Sequence, residues 1–161
     1  MLKSKFKFRA ILIPVLILAI TSISAYIVTE NWQIKIEELR WIEIYMTVLF
    51  LCSWIWLVFG ELRTKIIEVS IENNGIEKRN YLGLNQKYNF KDFDGFQTSI
   101  LTSKGESFEY LYLLKDRRKI IKISEAYHKN YGELKNRIGA NSKDLGEIKF
   151  RYIDELKDMF N

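Results

Sequence analysis

The run AILIPVLILAITSISAYIV, Ala10 to Val28, carries no charged residue over nineteen positions. At 1.5 Å per residue it makes roughly 28 Å of helix, close to the thickness of a bilayer's hydrocarbon core. In a chain of 161 residues this leaves room for a membrane anchor and one small domain. A second run, IYMTVLFLCSWIWLVFG, Ile44 to Gly60, is uncharged over seventeen residues. Trp41 and Tyr45 mark one end of it and Trp54, Trp56 and Phe59 the other, as expected of amphipathic rings at the headgroup level. Pro14 falls near the start of the first helix, where first-turn N–H groups lack helical partners anyway. The competing assignment, two buried helices of a soluble protein, is disfavoured because such helices normally keep a polar face.

Lys3, Lys5, Lys7 and Arg9 precede the first run and also form the basic region of a cleavable signal peptide, with TSISA as the small-residue stretch. Continuation of the apolar run through Tyr26, Ile27 and Val28 favours retention as a transmembrane helix. The connector Thr29 to Glu43 has only Lys35 and Arg40 against four glutamates, whereas Arg63 and Lys65 follow the second run. Basic residues stay in the cytoplasm, so two spans with both termini cytoplasmic are expected, in an inner-membrane, multi-pass arrangement. Residues 1–62 are the anchor on this reading, 63–139 a domain and 140–161 a tail. Trp32, Ile36 and Leu39 of the connector are placed to form an interfacial helical turn.

From Glu61 the pattern changes to short alternations. IIEVSIE sets Ile67, Val69 and Ile71 on one face, the period of a half-buried strand, and Asn-Asn-Gly then turns the chain into a hairpin. Strands are expected near Gln86–Phe90 and Phe96–Thr102, and SFEYLYLL is apolar on both faces at its centre, which predicts a strand inside the sheet. KDRR is a turn and KIIKIS a further strand. A helix is expected next, with Ser124 as N-cap, Tyr127, Tyr131, Leu134 and Ile138 on one face, and Gly139 as the C′ stop. Gly132 inside it suggests close packing on the sheet. The tail is expected to be a loop and a short amphipathic helix, its Ile148, Phe150 and Tyr152 also fitting a strand.

Two membrane segments, about six antiparallel strands and a C-terminal helix resemble the bacterial PH-like (pleckstrin-homology-like) domain proteins. The hairpin VSIENNGIEKR, the aromatic corner YNFKDFDGF and the passage of the last strand into the helix through KIS carry the resemblance over Lys65 to Gly139. It implies an α+β fold: a two-helix transmembrane hairpin, then a bent antiparallel sheet or barrel closed by the helix. It does not imply an enzyme. Phosphoinositide-binding PH domains use basic side chains around the first hairpin loop. Here that loop is ENNG, and Lys78 and Arg79 come only afterwards, as solvated strand positions.

The chemistry-bearing residues are few. The single cysteine, Cys52, lies mid-membrane as a small apolar side chain, and the single histidine, His128, is expected at a helix surface. Neither disulfide nor multi-histidine metal site can be built, and no nucleophile, phosphate-loop or dinucleotide motif occurs. Asp92 and Asp94 sit two apart in YNFKDFDGF, but Asp-Gly is a turn dipeptide, and Phe90, Phe93 and Phe96 suit a corner with rings inward. No catalytic, cofactor or metal residues are therefore expected. A net charge of +5 without a clustered basic face argues against nucleic acid as a partner. The densest basic patch, Lys115, Arg117, Arg118, Lys119 and Lys122, is a candidate contact for anionic lipid headgroups. The leading expectation is a non-enzymatic membrane-anchored module that binds a protein partner or a second copy of itself. Lipid recognition is the alternative, and an immunity or stress-response membrane protein is a third.

Overall fold

The computed structural model describes residues 1–30, 41–63, 66–81, 83–103 and 105–151. The chain is mixed α+β, with three α-helices and two four-stranded sheets among these residues. Helix α1 runs from Phe8 to Glu30 and helix α2 from Trp41 to Ile55, passing into a π-helical stretch, Trp56–Leu62. Phe8–Tyr26 is long and apolar enough to cross a membrane, and only 11% of it is buried within the protein. Ile44–Gly60 is a shorter apolar helix. The two helices meet where Trp54 Nε1 donates to Thr21 Oγ1 at 3.0 Å. Thr21 in turn donates to the Ile17 carbonyl, so this polar pair is satisfied in apolar surroundings. Helix α1 starts at Phe8, so Pro14 lies beyond its first turn and removes a bond that the Ala10 carbonyl would accept, contrary to the sequence expectation.

The first sheet has the order β1-β2-β3-β4: β1 Leu2–Lys3, β2 Ile67–Ile71, β3 Gly75–Asn80 and β4 Asn85–Asn89. The second has the order β7-β6-β5-β8: β5 Gly95–Ser103, β6 Glu106–Lys115, β7 Arg118–Ser124 and β8 Asp144–Glu147. The corner YNFKDFDGF joins them. Phe90–Asp92 forms one 3₁₀ turn, capped reciprocally by Asn89 and Asp92, with Phe90 and Phe96 buried and Phe93 packed beside them. As the alternation predicted, β6 is interior to its sheet: Leu111 and Leu113 face the main core, while Tyr110, Tyr112 and Leu114 face a second cluster. Helix α3, Tyr131–Gly139, lays Tyr131, Leu134 and Ile138 on the main core.

Six expectations change. The sheet is not purely antiparallel, because β8 pairs parallel with β5 at Phe96↔Asp144. A closed barrel is not present among the described residues; the pairings form two separate sheets. Helix α3 begins at Tyr131 rather than after Ser124, because Ser124 ends β7 and its carbonyl and hydroxyl cap the turn at Ala126–His128 instead. Gly139 is the last helical residue, not a C′ stop: Ala140 stays right-handed helical and Asn141 Nδ2 donates to the Arg137 carbonyl. A Cβ at Gly132 would meet nothing, so close packing does not explain that glycine; one at Gly139 would touch the Phe96 ring. In the tail, the strand is Asp144–Glu147, one turn earlier than Ile148–Tyr152, and Ile148 and Phe150 pack on the Tyr110 and Tyr112 cluster. The amphipathic tail helix and the connector turn lie outside the described residues.

The first residues of the chain join the domain. Ser4 N donates to Val69 O at 2.7 Å and Val69 N to Ser4 Oγ at 2.9 Å, extending the β1–β2 pairing toward α1. On the other side of this strap, Lys7 N donates to Tyr127 O and Lys129 N to Lys5 O. Asn130, the residue before α3, donates to Lys3 O and accepts from Lys5 N, so its side chain is not free to cap the helix.

Candidate membrane interface and distal loops

The turns between strands fall into two groups that are chemically different. The end nearest α1 and α2 gathers the strap, the Tyr81–Leu84 loop, the β5–β6 turn and the Ala126–Asn130 turn. Phe6 packs against Tyr81, ring centroids 6.1 Å apart, and against His128 at 5.4 Å. Arg9, in the first turn of α1, pairs with Glu106 at 2.8 Å and lies over the Phe108 ring. Ala10 and Ile13 of α1 pack on Ile66, just before β2, which fixes the helix against the domain. Phe8, Tyr81 and Leu84 are exposed at 76%, 53% and 59%, so this end presents apolar side chains outward.

His128 lies beneath the strap and is fully buried, not at a helix surface as expected. Its Nδ1 is 2.9 Å from Ser124 O and its Nε2 3.0 Å from Ile67 O. Continued β1–β2 register would set Phe6 opposite Ile67, and His128 takes that carbonyl instead. Burial holds the imidazole pKa below its usual 6.5, with the Lys7 charge acting the same way and the two carbonyls opposing them. A neutral ring has one N–H; Ser124 O already accepts from the Tyr127 and His128 amides, so a proton on Nε2 ties this turn to Ile67 O.

Lys78 also departs from expectation. Rather than being solvated, its ammonium donates to Ile120 O at 2.9 Å and ties the first sheet to the edge of the second. Burial lowers its pKa, and Arg63 nearby adds to the effect.

The opposite end carries the Glu72–Asn74 loop, the Phe90–Asp94 corner and the Asp116–Arg117 turn. The turn residues have φ of 51° and 62°, a left-handed pair that reverses the chain tightly between β6 and β7. Asp94 accepts from Arg117 N at 2.8 Å and Asp92 from Asn89 N at 3.2 Å, so each carboxylate holds a backbone amide. Asp94, Gln97, Asp116, Arg117 and Leu145 line an open groove of about 690 Å³ here. Gly95 beside it, at φ 151°, has room for no side chain, because a Cβ would strike Lys143 O.

The five residues of the basic patch separate. Arg117 and Arg118 are exposed in the distal turn and Lys115 is half-buried at the end of β6. Lys119 lies over the Tyr112 ring at 4.5 Å, and Lys122, 9% exposed, over Tyr110 at 4.8 Å. These two are cation–π partners on a covered sheet face rather than part of a continuous surface patch. Among the described residues no group of three or more histidine, cysteine, aspartate or glutamate side chains could hold a metal.

Sequence reasoning missed the strap, although its signal is present: Leu2, Ser4, Phe6 and Phe8 alternate with Lys3, Lys5, Lys7 and Arg9. The same basic residues read equally well as a membrane-flanking cluster, which concealed the strand. It also missed Tyr81 and Leu84, whose signal is a turn, YLGL, with apolar residues where polar ones are usual. No family model, curated protein or solved structure matches this chain.

Proposed function

We propose that the chain is a two-span membrane anchor carrying a PH-like, non-enzymatic module that offers its distal loops to a protein partner. The observation that carries the two-span reading is the β1–β2 pairing: residues before α1 and residues after α2 are adjacent strands of one sheet. If α1 crosses the bilayer, the chain has to cross back before β2, and α2 with its π-helical extension is the apolar segment available. The basic residues flanking both helices support a reading in which the domain and both termini lie on the cytoplasmic face of an inner membrane. Two sheets joined at an aromatic corner, with α3 over the core, support the PH-like reading.

The ten residues of β6 separate the helix end from the distal turn by roughly 30 Å. Distal loops therefore project toward soluble partners. The same distance disfavours anionic-lipid recognition through Arg117 and Arg118 on the membrane that anchors the chain, since surface attraction decays within a Debye length of about 10 Å.

Reporter fusions after Lys35 and after Asn161 are expected to report outside and inside, respectively; both reporting inside overturns the two-span reading. A photo-crosslinking residue at Asn74 or Asp116 of the full chain in native membranes is expected to capture a discrete protein adduct. Loss of adducts at both positions, with the protein folded, overturns the partner-binding reading.

A further inference from the structure

We infer that the Tyr81–Leu84 loop is itself a membrane-contact element, seated in the headgroup region of the bilayer that α1 enters, so that the domain is held against the surface at a fixed tilt. This rests on the anchored reading above and adds a third contact to the two helices.

Among the described residues, Asn80 closes the loop from within. Asn80, itself buried, accepts at its carbonyl from Gly83 N and at Oδ1 from Leu84 N, while its own N–H donates to Leu84 O. Gly83 supplies the left-handed φ of 80° that the turn needs. With its backbone closed by Asn80, the loop turns two large side chains outward, Tyr81 and Leu84, both more than half exposed.

Position decides what covers them. Tyr81 packs on Phe6, two residues before α1 begins, and the membrane-length window of α1 opens at Phe8. Arg9 is tied to Glu106, so this end of the domain sits at the depth of the first turn of α1. An apolar loop at that level continues the surface made by the exposed helix side chains. A tyrosine there has the ring and hydroxyl arrangement favoured at the interface. Lys5 and Lys7 flank Phe6 in sequence and suit anionic headgroups. The occupant is therefore lipid, and a second copy of the chain is the competing outcome.

The test uses the full chain in phosphatidylcholine and phosphatidylglycerol nanodiscs, with single nitroxide labels read by collision with oxygen and with a water-soluble nickel chelate. Native Cys52 reports the anchor; Leu84→Cys and Arg117→Cys, each in a Cys52→Ser background, report the loop and the distal turn. Leu84 contributes its backbone to the turn, so the substitution leaves the loop closed. The expected result is an oxygen-rich Cys52 label, a fully aqueous Arg117→Cys label, and a Leu84→Cys label with lost nickel access and gained oxygen access. Equal nickel access at Leu84→Cys and Arg117→Cys, with Cys52 in hydrocarbon, overturns this inference alone. A Cys52 label in water overturns the anchored reading and this inference with it. Shielding of Leu84→Cys that disappears at one copy per disc assigns the loop to a second copy and overturns the lipid assignment.

Discussion

His128 sits between Ser124 O and Ile67 O with no exposure to solvent, and its titration is a stability statement. Its folded pKa is lowered from 6.5, chiefly by burial. Below that value the unfolded chain takes up a proton that the folded chain resists, so stability is present at neutral pH and falls as the medium is acidified. Thermal melts of the full chain in micelles between about pH 8 and about pH 5 are expected to show a falling Tm. His128→Gln should lower Tm at neutral pH, with a loss of about 1 to 3 kcal/mol, and flatten the acid dependence that this residue contributes. A variant that keeps the full acid slope shows that other groups carry it. The sequence showed a lone histidine beside apolar Tyr127, expected at a helix surface. Its burial was not visible, because the strand that covers it is over a hundred positions away.

Among the elements, the strap and the corner contrast in how far local sequence specified them. The corner's three phenylalanines and its Asp-Gly step identified it, and the structure sets Phe96 in the core at 4% exposure. Phe96→Ala is expected to cost about 3 to 5 kcal/mol in chemical denaturation, and Phe93→Ala less, since that ring is half-buried. Asp94→Asn keeps an oxygen for the Arg117 amide and should change stability by less than about 1 kcal/mol. A larger loss requires the carboxylate charge to matter at this turn. The strap depends on distant residues for both of its edges. A chain that begins at Arg63 lacks it and leaves the Val69 amide and the Tyr127 and Asn130 groups without their partners. That fragment is expected to melt well below the full chain, and a peptide of residues 1–7 added in trans should raise its Tm. Equal Tm for fragment and full chain would remove the strap from the folding unit.

For the whole molecule, the turns divide into a helix-side group with exposed Tyr81 and Leu84 and a distal group with the 690 Å³ groove and the charged turn. A side-chain bond from Trp54 to Thr21 joins the two helices. Thr21→Val should therefore weaken their pairing only modestly, by about 0.6 kcal/mol in a denaturation series of the full chain in micelles. A several-fold larger effect would mean that the Ile17, Thr21 and Trp54 chain acts as one unit.

The sequence alone determined the apolar helices, because nineteen and seventeen uncharged residues leave no polar face for water. It likewise determined the hairpin at Asn-Asn-Gly and the interior position of β6, since turn chemistry and alternation are local properties. The tertiary structure decided which segments complete each other. Leu2–Lys3 was read as flanking charge until β2 appeared beside it, Lys78 as solvated until Ile120 O met it, and the basic patch as continuous until two of its lysines lay on tyrosine rings. For the strap and Lys78 the deciding partner is far away in the chain, and for Lys119 and Lys122 it lies on the paired strand β6; a side chain's burial depends on that partner rather than on its immediate neighbours in sequence.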